Sequence, residues 1–142
     1  MRALWRRNGK DEAGFTLIEL AIALAILGIL VAIAVPTYLT VRNRAYDAEA
    51  KQNLGAIRSL AWSYYLERAS WDEVDDLTPL GMDASHTTDN WEFFVDFSDD
   101  DLIRLCAKPT ATAPFDNRFW SLELKPDGSA VLEGPDATTC DQ

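Results

Sequence analysis

Apolar residues form one unbroken block near the start of the chain. The block Phe15–Val35 holds 21 residues and a single charged side chain, Glu19. As an α-helix it would be roughly 31 Å long, which matches a bilayer core of about 30 Å. The apolar core of a secretory signal peptide is only about 7–15 residues long, so the pattern predicts a membrane-spanning helix instead.

The helical pattern continues beyond Pro36, which ends the uniformly apolar block. Proline lacks the amide donor for the carbonyl of Ala32, so we expect a kink there. Apolar residues then recur at spacings of three and four, which predicts one helix from Phe15 to about Ala69 with an amphipathic second half. The predicted buried stripe consists of Val41, Ala45, Ala48, Leu54, Ile57, Leu60, Ala61 and Tyr64.

The distal part of the chain changes to short alternating patterns separated by turn residues. Residues 70–90 are rich in Asp, Pro, Gly and Ser and predict a connecting loop. Four strand-like segments with hairpin-like connections follow: Trp91–Phe97, Leu102–Ala107, Phe119–Leu124 and Ala130–Leu132. The predicted fold class is therefore α+β, with a long N-terminal helix packed on a four-stranded antiparallel sheet.

Charge is distributed as unevenly as the apolar residues. The net charge is -10 and the sequence pI is near 4.4, which argues against nucleic-acid binding through a general basic surface. Residues 1–14 are basic, whereas the distal half is acidic. Lys and Arg before the apolar block favour a cytoplasmic N-terminus, although Arg42, Arg44 and Lys51 follow the block closely. The two distal cysteines indicate the same orientation, because cysteine pairs belong on the oxidising side of the membrane.

The two cysteines, Cys106 and Cys140, both lie in the distal half. They have no CxxC spacing and no nearby histidine, which disfavours a metal site. If this half lies outside the cytoplasm, the natural interpretation is a disulfide that closes a 35-residue segment. Two unpaired, buried thiols are the alternative.

The junction between the basic leader and the apolar block carries the most specific motif. Ala13-Gly-Phe-Thr-Leu-Ile-Glu-Leu20 resembles the processing site of type IV pilins and pseudopilins. The resemblance implies that a prepilin peptidase cuts between Gly14 and Phe15 and N-methylates Phe15. It also implies an assembly role for Glu19, and it extends to Pro36, where many helices of this family bend. Beyond about residue 65 the resemblance is one of architecture only.

The residue types at this junction suit that chemistry. Gly14 has no side chain, so a protease can hold the backbone closely there. Cleavage would expose an α-amino group on Phe15, one helical turn from Glu19. A carboxylate in hydrocarbon costs several kcal/mol unless it has a partner, and the N-terminal ammonium of a neighbouring subunit would supply one. Small residues along the block permit close helix packing: Ala21, Ala23, Ala25, Gly28, Ala32 and Ala34.

Other candidate sites have plainer interpretations. Asp96 with Asp99, Asp100 and Asp101 is a hypothetical calcium site, although adjacent acids usually form a solvated turn and an EF-hand spacing is absent. His86, the one histidine, is predicted to lie in a surface loop. The distal aromatic residues are predicted to form core between helix and sheet: Trp62, Tyr64, Tyr65, Trp91, Phe93, Phe94 and Trp120. No catalytic constellation or phosphate loop is evident, so we predict no enzyme, no metal and no cofactor.

The sequence therefore predicts a leader (1–14), a membrane or filament-core helix (15–36), an amphipathic helix half (37–69) and an extracytoplasmic pilin domain (70–142). The resemblance implies a structural subunit that passes from the bacterial inner membrane into a homo-oligomeric helical filament. Its expected partners are the prepilin peptidase and the assembly machinery with its ATPase. A pseudopilin of a type II secretion or competence system shares these motifs. A monomeric binding domain on an uncleaved signal anchor is the alternative of another class.

Overall fold

The computed structural model describes residues 15–115, 117–135 and 140. The predicted leader, including Gly14, lies outside the described residues. The described chain forms a helix, a short 3-10 turn and five strands: α1 (Leu17–Arg68), the turn Thr78–Leu80, β1 (His86–Thr87), β2 (Trp91–Ser98), β3 (Ile103–Pro109), β4 (Trp120–Leu124) and β5 (Ala130–Glu133). The chain divides into two compact units, Met1–Val41 and Arg42–Gln142.

In the first unit, the described residues are almost entirely the beginning of α1. Every described side chain from Phe15 to Val41 is solvent-exposed. A helix that is apolar on all sides has no stable state in water, so this segment requires either lipid or other protein around it.

In the second unit, α1 packs one face on the sheet. Its fully buried residues are Ala50, Leu54, Ile57 and Ala61, at spacings of four, three and four. This spacing keeps the four side chains on one side of a helix with 3.6 residues per turn. The prediction of an amphipathic helix packed on the sheet is confirmed.

The predicted buried stripe was wrong at four of its eight positions. Val41, Ala45, Ala48 and Leu60 are exposed, and Tyr64 is half-buried. The reason is geometric: Ala48 and Leu54 are six residues apart, which rotates them by about 240° around the helix axis, so they cannot share a face. The residue that continues the buried face is Ala50.

The sheet has five antiparallel strands in the order β1-β2-β3-β4-β5, not the predicted four. The missed strand is β1, in which His86 pairs with Phe93 and Thr87 with Glu92. A two-residue strand shows no alternating period, so the sequence pattern could not reveal it. The other four strands lie within a residue or two of their predicted bounds.

Alternation along the strands builds the core. Trp91 and Phe93 on β2 are buried on the helix side, and so are alternate residues of β3 and β4. The loop after α1 adds three fully buried side chains, Trp71, Val74 and Leu77. Phe94 was predicted to be core but alternates to the other face of the sheet, where the ammonium of Lys108 lies 5.0 Å from its ring centre.

Charged side chains at the edge of the helix fasten it to the loops. Arg118 Nη2 donates to Asp47 Oδ1 at 2.6 Å. The carboxylate of Glu49 accepts hydrogen bonds from Thr88 Oγ1 at 2.7 Å and from Asn90 Nδ2 at 2.9 Å. Acidic residues close to the buried face of α1 are therefore satisfied within the second unit.

Candidate processing and assembly site

The helix begins directly after the predicted cleavage site. Phe15 and Thr16 precede Leu17, the first helical residue, and the Phe15 side chain is 92% exposed. Gly14 lies outside the described residues, so the structure places only the Phe15 side of the predicted scissile bond. This position keeps Phe15 out of regular structure, as suits a residue that a protease must reach.

Glu19 closes a reciprocal cap on the start of α1. Its Oε2 accepts hydrogen bonds from Thr16 N at 2.9 Å and from Thr16 Oγ1 at 2.8 Å, while Glu19 N donates to Thr16 Oγ1 at 3.3 Å. These are the bonds of a capping box, in which the residue before the helix and its third residue satisfy each other. In the single chain, the Glu19 carboxylate, which is predicted to serve in assembly, is thus hydrogen-bonded to Thr16 at the start of its own helix.

Thr16 is the residue of this site that sequence reasoning missed. The spacing Thr16-x-x-Glu19 is the capping-box signature, and it was visible in the sequence. The carboxylate has more than one acceptor site, so a bond to Thr16 does not prevent it from also binding a cation.

The helix from Leu17 onward is the exposed apolar surface of this site. By length and composition α1 is long and apolar enough in its first part to cross a membrane, and it is the one such helix in the described residues. None of the side chains in this apolar part of α1 is buried within the chain. This surface is therefore available to lipid or to other helices.

Helix α1 passes through Pro36 without an interruption in its assigned span. Two threonine hydroxyls bond to carbonyls near the proline: Thr37 Oγ1 donates to Ile33 O, and Thr40 Oγ1 donates to Pro36 O, each at 3.0 Å. Each bond runs from a threonine to the carbonyl four residues earlier, and neither goes to Ala32 O, the carbonyl whose backbone donor the proline removes. The continuation of the helix agrees with the prediction, while a bend at Pro36 and its use in assembly stay predictions.

In the second unit, Cys106 and Cys140 form a disulfide with Cα atoms 5.9 Å apart. Cys106 lies on β3 and points to the side of the sheet away from the helix, as do its neighbours Phe94 and Ser121. Both cysteines are buried. The bond therefore ties residue 140 to the central strand β3 of the sheet.

The acidic run after β2 forms a turn. Asp99 Oδ1 accepts hydrogen bonds from the backbone N–H groups of Asp101 at 2.8 Å and Leu102 at 2.7 Å. Asp96 instead faces Arg104, whose Nη1 lies 3.2 Å from Asp96 Oδ2 and whose Nη2 donates to Glu123 Oε1 at 2.8 Å. Within the described residues, no group of three or more His, Cys, Asp or Glu side chains is arranged to hold a metal ion.

His86 was predicted to lie in a surface loop, and this was wrong. It forms β1, and its ring centre lies 5.8 Å from that of Phe93 on the neighbouring strand. Its side chain is half-buried. The packing on Phe93 gives this histidine a structural role in the sheet edge.

Residues 9–35 match the family model described as the prokaryotic N-terminal methylation motif. Over 67 residues the chain is 43% identical to the type IV major pilin protein PilA of Myxococcus xanthus, covering 47% of this chain and 30% of that protein. Over 62 residues it is 44% identical to the type IV major pilin protein PilE1 of Neisseria gonorrhoeae, and the match covers 44% of this chain and 38% of that protein.

A third relative is the type IV narrow pilus major component PilA5 of Thermus thermophilus, 52% identical over 46 residues that cover 32% of this chain and 40% of that protein. No solved structure matches the chain significantly. The matched segments span between about a third and two fifths of the length of these relatives. The chain thus carries the prokaryotic N-terminal methylation motif at residues 9–35 and is similar to type IV major pilins over part of its length.

Proposed function

We propose that this protein is a structural subunit of a type IV pilus-like filament. The observation that carries the proposal is the exposed, apolar first part of α1, whose Thr16–Glu19 cap lies within the processing motif. Such a helix buries none of its first part within its own chain. It needs a bilayer around it before assembly and packed copies of itself afterwards, as the subunit of a type IV pilus does.

Processing would convert the start of the helix into an ionic site. A prepilin peptidase cuts between Gly14 and Phe15, and methylation of the new amino group keeps its positive charge. The α-amino group of one subunit then pairs with Glu19 of a neighbour. The carboxylate gains a charge-assisted bond in the apolar interior, where an unpaired charge costs several kcal/mol.

This pairing would set the register between packed helices. The rest of the apolar surface is non-directional, because alkyl side chains can slide past one another with little change in contact. A single ionic pair has one favoured axial position, in the way that one buried polar residue fixes the register of a coiled coil. In the single chain, Thr16 holds the Glu19 carboxylate by hydrogen bonds to one of its two oxygens.

The second unit would form the acidic outer surface of the filament. The subunit starts in the bacterial inner membrane, with the second unit on the oxidising side where the Cys106–Cys140 disulfide forms. Assembly machinery, driven by an ATPase that is a separate protein, would extract the subunit from the bilayer. We propose a structural role rather than a catalytic one. The relatives named as major pilins favour a pilus subunit over the pseudopilin of a secretion or competence system.

The test is a Glu19→Ala variant in the native bacterium, with Glu67→Ala as the matched control. Both residues are exposed glutamates on α1, and Glu67 lies at the far end of the helix. The measurement is the amount of subunit in sheared surface material relative to the amount of processed subunit in membranes. We expect Glu19→Ala to reduce this ratio more than about thirtyfold, since removing one partner of a buried charge pair costs about 2 kcal/mol or more.

The control variant should assemble as the unmodified chain does. Equal assembly of Glu19→Ala and Glu67→Ala would remove the ionic pair from the mechanism. Absence of the unmodified chain from all sheared material would overturn the filament role itself.

A further inference from the structure

Three exposed cations form a line along α1 in the second unit. Arg44, Lys51 and Arg58 are spaced seven residues apart, and all three are exposed. Seven residues fall about 20° short of two helical turns, so the three side chains share one face at intervals of about 10.5 Å. We call these residues the cationic row.

The cationic row has no counterion within its own unit, as far as the described residues go. None of its members forms an ion pair with a described carboxylate. Lys51 Nζ lies 4.2 Å from the ring centre of Trp120, and Arg58 Nη2 donates to Gly128 O at 3.2 Å. Arg44 makes no hydrogen bond or ion pair with any described residue.

The opposite charge is concentrated just beyond the end of α1. Residues 67–101 contain twelve carboxylates and one cation, Arg68. Two segments of this region, 72–76 and 99–101, lie together, because Ser70 Oγ donates to Asp100 Oδ1 at 2.5 Å and Ser98 Oγ donates to Val74 O at 3.0 Å. We call these two segments the acidic loops.

Several carboxylates of the acidic loops are available to a partner. Asp72, Asp75 and Asp101 are exposed, and their carboxylates make no hydrogen bond or ion pair with any described residue. Glu73 is paired with Arg68, but loosely, at 3.5 Å with both side chains more than half exposed. The second unit thus presents an unpaired cationic surface along the helix and an unpaired anionic surface at its end.

We propose that the cationic row of one subunit docks against the acidic loops of a second copy of the chain. This inference rests on the proposed filament function. The contact joins two different surfaces, so it is heterologous, and repetition of a heterologous contact generates an open helical polymer. Charge complementarity selects a second copy as the occupant, because a net charge of -10 otherwise makes identical subunits repel each other.

The positions along the helix set the offset between the two copies. Arg58 lies ten residues before the end of α1 at Arg68, and Arg44 lies 24 residues before it. At 1.5 Å per residue the two copies are displaced by about 15–36 Å along the helix axis. The Phe15–Glu19 pair spans only one turn and displaces its partners by about 6 Å. The row and loops therefore join subunits that are several positions apart in the filament.

The test reverses charges separately and together in the full chain. Arg44→Glu reverses one charge of the row at the position with no internal contacts, and Lys125→Glu is the matched control because Lys125 is exposed, lies outside the row and forms no ion pair in the described chain. Asp72→Lys with Asp75→Lys reverses the loops. We measure sheared filament relative to processed subunit in membranes, and check the Cys106–Cys140 disulfide as the sign of a folded second unit.

We expect Arg44→Glu to lower the filament fraction about fivefold and Lys125→Glu to change it less than about twofold. The loop variant should also lose filament. The combined Arg44 and loop variant should form more filament than the product of the two separate losses, because the reversed charges attract again.

Two results would overturn the docking contact while leaving the filament role intact. The first is a combined variant whose filament loss equals the product of the two separate losses. The second is an equal filament fraction for Arg44→Glu and Lys125→Glu. A complete lack of filaments from the unmodified chain would instead overturn the proposed function on which it rests.

Discussion

Leu54→Ala tests the face by which α1 packs on the sheet. Leu54 is 0% exposed and belongs to the core, whereas Leu60 on the same helix is 40% exposed. Removing a fully buried leucine side chain costs its transfer free energy and leaves a cavity, so unfolding should become easier by about 3 kcal/mol. The same substitution at Leu60 removes mainly solvated surface and should cost less than about 1 kcal/mol.

The assay is urea unfolding of the full chain in detergent micelles, followed by tryptophan fluorescence. Trp71, Trp91 and Trp120 are buried in the second unit and report on its core. With a slope of about 1.5 kcal/mol per molar urea, Leu54→Ala should lower the midpoint by about 2 M and Leu60→Ala by less than about 0.7 M. Equal shifts would place the two leucines in equivalent environments and refute the helix register.

Two further predictions concern the second unit. Cys106→Ser opens a 35-residue loop, and the loop-entropy relation predicts a loss of about 4 kcal/mol in unfolding free energy without any change in processing at Gly14; an unchanged urea midpoint under oxidising conditions would contradict this. Hydrogen bonds from Ser129 lower the pKa of Asp127, and the bond from the hydroxyl contributes more than the bond from the amide. The Asp127 carboxylate therefore stabilises the fold at pH values above the ordinary pKa of an aspartate, and this contribution is lost as the pH falls through the lowered pKa. Carboxyl NMR titration should show Ser129→Ala raising the pKa of Asp127, and an identical titration in both proteins would exclude that cause.

Long, strongly patterned elements were predictable from this sequence. The apolar block was found because it is long and uniformly apolar, and the four longer strands because burial of one face imposes a period of 2 on consecutive residues. The face of the helix was harder to predict, since α1 carries alanines and leucines on its exposed side too, such as Ala45 and Leu60. Which of these apolar residues is buried depends on where the sheet lies, and this is a tertiary property.

Contacts between distant residues could not be predicted. Asp47 and Glu49 are charged residues of α1; Arg118 binds the first, and Thr88 and Asn90 bind the second. These pairs are separated by 39 or more residues, and no local pattern encodes them. The contact between Glu19 and Thr16, in contrast, is predictable from the sequence, because the two residues have the local spacing of a capping box.

The most direct test of the central claim is the N-terminal residue and intact mass of the protein recovered from sheared surface material and from membranes. The account predicts a chain that begins with methylated Phe15 and is present in the sheared fraction. A chain that still begins with Met1 and is confined to membranes would contradict it, and the protein would then be a domain held by an uncleaved signal anchor.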